Sequence, residues 1–485
     1  MTAAAPAWPV AGFGSLRIPA AVFEVLGYLA VVAAGSLAFL AGWLTVNGAV
    51  VLTVVLLSSL IVMSWVHLGQ GRHPAFLFLC SLMLFQGGRL IGYCLGAESD
   101  PMQVEIMTPA PFQVPREIAG LVLLALALSA ICIYAPCRWM YRPIAPPSDV
   151  KVRKYLPYLY LLFFATLPVQ LFKNYRYYEY VQQHGGYTFI YVNHAALAST
   201  VPFWVRAIPL ITLPVFVAIF VFERRRSRLY VATVLYFATA SLILLLGSRS
   251  GPFLLVATLW WVARVKSKQK TRLVWLASFA VLVLLAGDLI QEMRQGDASA
   301  KYEPSLVRLI VSQGISLNVS EVGFAYRDLF SPNLGSYLLT EVQDAFVASD
   351  VANYRRGKGL SIDISVFLNR GQYRAGYGTA GSYIPEAYIG GGMIAVVLVS
   401  VALGLGLHAM YRFSGHPLLL FVFAMSLPDI ILMPKGQLLD WVSILLKNCI
   451  SFGLLWFGWK IYSLLVSIRH TPGTSPESVA VAAGG

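Results

Sequence analysis

Residues 370–392 read RGQYRAGYGTAGSYIPEAYIGGG and run straight into MIAVVLVSVALGLGLHAM at 393–410. Within a few positions a stretch of arginine, tyrosine and glycine gives way to an unbroken apolar run. The interval 386–411 is long enough to cross a bilayer as a helix, which takes about 20 mostly apolar residues. Arg370, Arg374, Glu386 and the tyrosines Tyr373, Tyr377, Tyr383 and Tyr388 are therefore presented at a membrane surface. Glycine lets a backbone adopt positive φ and lets a bulky polar ligand approach. The same residue types also suit a plain loop of turn glycines ahead of a spanning helix.

Working outward, the whole chain has the composition that this junction implies. Of 485 residues, 58% are hydrophobic and only 12% are charged, against about a quarter charged in soluble domains. The fold class is all-α: a polytopic helical membrane bundle. About twelve stretches meet the length criterion, near 21–45, 48–67, 75–96, 117–136, 154–172, 201–222, 229–247, 251–264, 273–290, 386–411, 416–434 and 441–466. The opening residues lack a charged start followed by a short apolar core and a small-residue cleavage site, so no cleaved signal peptide is expected. Cys80, Cys94, Cys132, Cys137 and Cys449 show no C-x-x-C spacing, which argues against a metal centre or disulfide framework. No metal or cofactor is expected. The formal charge of +14 falls largely in short loops, where it sets orientation and does not signal nucleic acid.

Lysine and arginine in short loops stay on the cytoplasmic side. Arg138, Arg142, Lys151, Arg153 and Lys154 follow the fourth span, ERRRSR (223–228) the sixth and RVKSKQKTR (264–272) the eighth. Both termini are then cytoplasmic, and the loops 97–116, 173–200, 247–251, 291–385 and the turn around Lys435 face outward. The chain divides into helices 1–9 (1–290), a long periplasmic loop (291–385), helices 10–12 (386–470) and a disordered tail (471–485). In the long loop Leu338, Leu339, Val342 and Phe346 recur at helical spacing, the pattern of an amphipathic helix that lies on the surface or closes as a lid. Ser305–Leu317 is apolar but too short to span and suits a re-entrant or interfacial segment.

Charges within spans are expensive and mark functional sites by default. Arg89, Arg206, Arg249 and Lys447 come from separate parts of the chain and lie at one depth near the outer surface. Brought together they would form a cationic pocket for a phosphate or pyrophosphate carried on a lipid. Arg327 and Lys435, in the outer loops, add to the candidate lipid or pyrophosphate ligands. Arginine, the commoner cation here, binds phosphate oxygens two at a time. Each cation alone could instead snorkel to lipid headgroups, and Asp288, Asp429 or Asp440 could pair with them structurally. His184 and His194 fit a solvated loop as well as they fit a base. Asn318-Val319-Ser320 matches the glycosylation triplet, which arises often by chance.

There is no phosphate-binding glycine loop, zinc-protease helix or nucleophile elbow. GSRSG (247–251) closing an apolar helix, the HGGY loop (184–187), a long external loop and YGTAGSYIPEAYIGGGMIAVVL (377–398) together resemble the Wzy-type polymerases of O-antigen and exopolysaccharide repeat units. The family's G-S-x-x-x-E-x-Y element, followed by glycine and a hydrophobic helix, falls on Gly381, Ser382, Glu386, Tyr388 and Gly390–Gly392. Arg370 and Gly381 have the arginine-to-glycine spacing of some members. Where the family carries asparagine-phenylalanine, this chain has Ile389-Gly390.

The resemblance implies a metal-independent glycosyltransferase at the periplasmic face of the bacterial inner membrane. It would move a growing glycan from undecaprenyl pyrophosphate to the non-reducing end of an incoming lipid-linked repeat unit. Its expected partners are that lipid-linked oligosaccharide, membrane lipid, a chain-length regulator and a flippase. The chemistry needs a base for the attacking hydroxyl and cations for the departing pyrophosphate. Glu386 is the candidate base, with Arg249, Arg370 and Arg374 as catalytic cations and Tyr187, Tyr383 and Tyr388 as faces for sugar rings. A salt bridge from Glu386 to Arg370 or Arg374 is the structural alternative for that carboxylate. A glycan ligase would use nearly the same groups. A flippase would place its charges at the midplane in repeated halves, unlike this chain, and a scaffold in an envelope assembly is a third reading.

Overall fold

The computed structural model describes residues 19–147, 153–184, 194–245, 250–267, 306–330, 337 and 359–469. The helices are α1 (Pro19–Leu40), α2 (Val46–His67), α3 (Ala75–Phe85), α4 (Gly88–Cys94), α5 (Arg116–Met140), α6 (Leu156–Gln183), α7 (His194–Ser199), α8 (Phe203–Ala207), α9 (Pro209–Phe222), α10 (Arg226–Leu245) and α11 (Ser250–Lys266). They continue with α12 (Leu306–Gln313), α13 (Ser316–Ala325), α14 (Arg327–Phe330), α15 (Leu360–Arg374), α16 (Tyr383–Phe413), α17 (Pro417–Leu432) and α18 (Asp440–Arg469). Among the described residues seven helices are long and apolar enough to cross a membrane, or eight if one bent pair counts as a span. The protein is an all-α polytopic membrane protein. One small departure is a two-stranded antiparallel ribbon, β1 (Gln103–Val104) with β2 (Phe112–Gln113), in the loop before α5.

The span expected at 75–96 is broken: α3 and α4 meet at 64°. Just past the break, a Cβ at Gly88 would come within 2.4 Å of the Ile310 carbonyl and 2.9 Å of Gly314 Cα. Helix α12 thus crosses α4 backbone against backbone, a contact that only facing glycines permit. The apolar run 305–317 is accordingly neither a span nor a single helix. It divides at Gly314 into α12 and the fully buried α13. The expected span at 273–290 and the amphipathic helix at 338–346 lie outside the described residues.

The central pair of the bundle is α5 with α16. A Cβ at Gly404 would meet the Ile133 carbonyl and Pro136 at 2.6 Å, so the helices touch along a small-residue seam, as membrane helices do where no hydrophobic drive separates side chain from lipid. Around this pair α2 and α1 pack on α5, α9 packs on α6 and α17, and α13 lies against both α5 and α16. That last contact places part of the long loop inside the protein and not over it.

Candidate functional site

The site grows from the head of α16. Ser382 caps the helix, its Oγ accepting from Ile384 N at 3.3 Å. The helix then breaks at Gly391 (φ −162°, ψ 25°) and Gly392 (φ 63°, ψ −155°). The second conformation is essentially reserved for glycine. The GGG run thus splits a short, mostly buried segment, Tyr383–Gly390, from the apolar length of the span, and Glu386 sits in that segment.

Glu386 is 3% exposed. Its Oε2 accepts from Leu438 N at 2.7 Å, in the turn that joins α17 to α18. That turn is the hub of the site. Lys435 O accepts from Gly381 N at 2.9 Å and Met433 O from Tyr383 N at 3.3 Å, which ties the head of α16 down along it. Gln437 Nε2 donates to Ser361 Oγ of α15 at 3.3 Å, and Lys435 Nζ to Gln313 Oε1 of α12 at 3.4 Å. From α3's end Gln86 Nε2 donates to Pro434 O at 2.7 Å and Ser316 O at 3.2 Å, while its Oε1 accepts from Ser320 Oγ at 2.9 Å. Four separate stretches of the sequence therefore converge on residues 433–438.

Helices α13 and α14 line the other side. Phe324 stacks on Tyr388 with centroids 3.7 Å apart, and the Arg327 guanidinium lies 5.4 Å from the same ring centre. Arg327 Nε is shut away from solvent and has no hydrogen-bond acceptor among the described residues. The head of α16 thus carries Glu386, bonded to the turn that holds Lys435, and Tyr388, which has Arg327 over its ring; all four were singled out from sequence. Tyr388 presents its stacked ring to protein on one face.

The remaining candidates fall elsewhere. Arg370 and Arg374 are exposed on the last turn of α15, and among the described residues no ion pair joins either to Glu386. Tyr383 is 0% exposed, its ring against Phe78 and its hydroxyl bonded to Ser129, so it has no open face for a sugar. Arg89, 3% exposed, donates to Gln103 O at 2.6 Å and Glu98 Oε1 at 2.7 Å and lies 3.7 Å from Glu105 Oε1. The acidic loop folds back on it, so its guanidinium is occupied by protein. Arg206 lies beside α6, and Lys447 is exposed on α18. Arg89 is thus taken up by protein groups instead of standing open with Arg206 and Lys447 in the cationic pocket expected of them. Arg249 and Tyr187 lie outside the described residues.

Asn318 is fully buried, donating to Gln103 O at 3.1 Å and Glu321 Oε2 at 2.7 Å, a structural use that leaves no room for a glycan. Sequence reasoning passed over Gln86 and Glu321, and it named the turn around Lys435 without its role as a hub. A glutamine within an apolar span was the available signal for the first, since buried amides must find partners.

No curated protein and no solved structure matches the chain at a significant level. A family model described as O-antigen polysaccharide polymerase Wzy matches residues 28–463, nearly the whole chain. The chain belongs to that family and is a multi-pass membrane polymerase acting on lipid-linked oligosaccharide repeat units.

Proposed function

We propose that the protein polymerises repeat units at the periplasmic face of the bacterial inner membrane, with Glu386 as general base and Arg327 and Lys435 as cations for the departing pyrophosphate. The acceptor is the non-reducing end of an incoming lipid-linked unit. Its sugar hydroxyl gives its proton to Glu386, its oxygen forms the new bond to the anomeric carbon of the growing glycan, and the bond from that carbon to undecaprenyl pyrophosphate breaks. The electron pair leaves on the pyrophosphate oxygen. Preorganised cations at that oxygen lower the barrier because charge develops there only as the bond breaks. Side-chain cations serve in this reading where other transferases use a divalent ion.

The observation that carries the proposal is the buried carboxylate of Glu386, anchored to the Leu438 backbone N–H within a segment that the Gly391–Gly392 break sets apart from the span. The turn fixes one carboxylate oxygen by a charge-assisted bond. Arg327, over Tyr388 two positions along, brings positive charge without an acidic partner among the described residues. Arg370 and Arg374, at the exposed rim, suit a role in meeting the lipid headgroup or glycan as it arrives.

Purified protein incubated with lipid-linked repeat units should give a ladder of products. Replacing Arg327 by Gln should lower the rate roughly a hundredfold, the cost of losing one charge-stabilising donor, and chelation of divalent ions should leave the ladder unchanged. Movement of lipid-linked units across vesicles with no change in glycan length would make the protein a transporter instead.

A further inference from the structure

A second cationic grouping lies away from Glu386. On α6, Lys173 and Tyr177 are one turn apart and share a face, with the Lys173 ammonium 5.7 Å from the Tyr177 ring centre. From α8, which packs on α6, Arg206 acts electrostatically on the same tyrosine and lies 5.8 Å from the Phe203 ring centre. Arg206 Nε is closed off from solvent with no acceptor among the described residues. Among the described residues neither cation has a carboxylate partner, whereas neighbouring Arg176 pairs with Glu179 at 2.6 Å.

Cations withdrawn from water without a counter-charge are costly, so an anion that completes this group would bind favourably. The depth identifies its carrier. Lys173 lies about 26 Å along α6 from Leu156 at 1.5 Å per residue, near the far edge of a hydrocarbon layer about 30 Å thick. Tyr175, Tyr177, Tyr178 and Tyr180 follow it, the aromatic signature of a headgroup level. Guanidinium and ammonium at that level suit a phosphate. The reaction also demands such a place: two lipid pyrophosphates, one on the growing glycan and one on the incoming unit, must be held at once. The Arg327–Lys435 side of the molecule accounts for one of them, and among the described residues α6 packs chiefly on α9 and α10 instead of on α13 or α16.

We propose that Lys173, Tyr177 and Arg206 form a second site for a lipid-borne phosphate and that it holds the pyrophosphate of the second lipid-linked substrate. This rests on the polymerase reading above.

The test uses the full-length protein in phosphatidylcholine nanodiscs, titrated with undecaprenyl pyrophosphate bearing no sugar. Wild type should bind two equivalents. Lys173→Gln combined with Arg206→Gln should lose one class of site, by roughly tenfold to a hundredfold in affinity, while Lys173→Arg keeps both. Arg327→Gln should weaken the other class only. In wild type, bound undecaprenyl pyrophosphate should also protect Lys173 from amine acylation, a readout that needs no variant. Two full equivalents on a double variant with unchanged elution and melting temperature would overturn the proposal, as would an unprotected Lys173. Equal displacement by phosphatidylglycerol would show a general anionic-lipid contact and overturn the substrate assignment. Absence of a ladder from wild type would count against the polymerase reading alone, because the binding stoichiometry is measured without turnover.

Discussion

Glu321 shows at the scale of one residue how the long loop is built into the protein. It is fully buried on α13, its Oε2 accepting from Asn318, and burial pushes its carboxyl up to about 7, with Asp100 and Glu98 adding to the rise and Asn318 and Arg89 opposing it. The folded protein therefore holds a proton that the unfolded chain, with an ordinary value of 4.5, has already lost. The stability this contributes is complete below pH 4.5 and drains away as pH rises to about 7. On the linkage relation the loss is on the order of 3 kcal/mol. Thermal unfolding in detergent should show wild type losing stability across that window more steeply than Glu321→Gln, whose side chain carries no charge at any pH. Parallel curves would show that Glu321 does not titrate there. Depth along the sequence flagged Arg89 as an intramembrane cation, and Glu98 and Glu105 stand in the loop that follows it. That these acids turn back onto it was not legible, because a backward fold of a loop leaves no periodicity.

At the scale of the element, the decisive feature is the break in α16. The run of three glycines ahead of an apolar helix was plain in the sequence, and so was its association with Glu386. Its geometry was not, since glycine permits an αL, extended or helical conformation equally. In the structure Gly392 takes φ 63° and ψ −155°, and a Cβ there is strained whatever the surrounding space. Gly392→Ala should cost about 1–3 kcal/mol of stability and tilt the Tyr383–Gly390 segment away from the 433–438 turn. Polymerisation should then fall by roughly tenfold or more while lipid binding changes little, a split seen by comparing product ladders with undecaprenyl pyrophosphate titration. An unaltered ladder rate would mean that the break does not position the carboxylate. Similarly, the bent α3–α4 pair was read as one continuous span, because the 75–96 window is mostly apolar and the approach of Gly314 to Gly88 joins residues far apart in the chain.

For the whole molecule, apolar windows located the helices well: α2, α5, α16 and the Phe203–Phe222 span lie where hydropathy put them. The convergence of Gln86, Gly381, Glu386, Ser361 and Gln313 on one turn could not be read, since each pairing joins residues far apart in the chain. Charge bias in the loops predicts which side this convergence faces. With the native cysteines replaced by serine, a membrane-impermeant maleimide added to intact cells with permeabilised outer membranes should label Arg370→Cys and spare Arg225→Cys. The reverse pattern would turn the site toward the cytoplasm and remove its access to the proposed substrates. The account as a whole depends on the carboxylate at the head of α16 taking a proton in the reaction, and one measurement addresses it directly. Glu386→Gln keeps an acceptor for the Leu438 N–H but cannot serve as a base. Given lipid-linked repeat units, the purified variant should elute and melt like wild type yet lengthen the glycan at least about a hundredfold more slowly, whereas a ladder formed at the wild-type rate would contradict the assignment of Glu386 as the base.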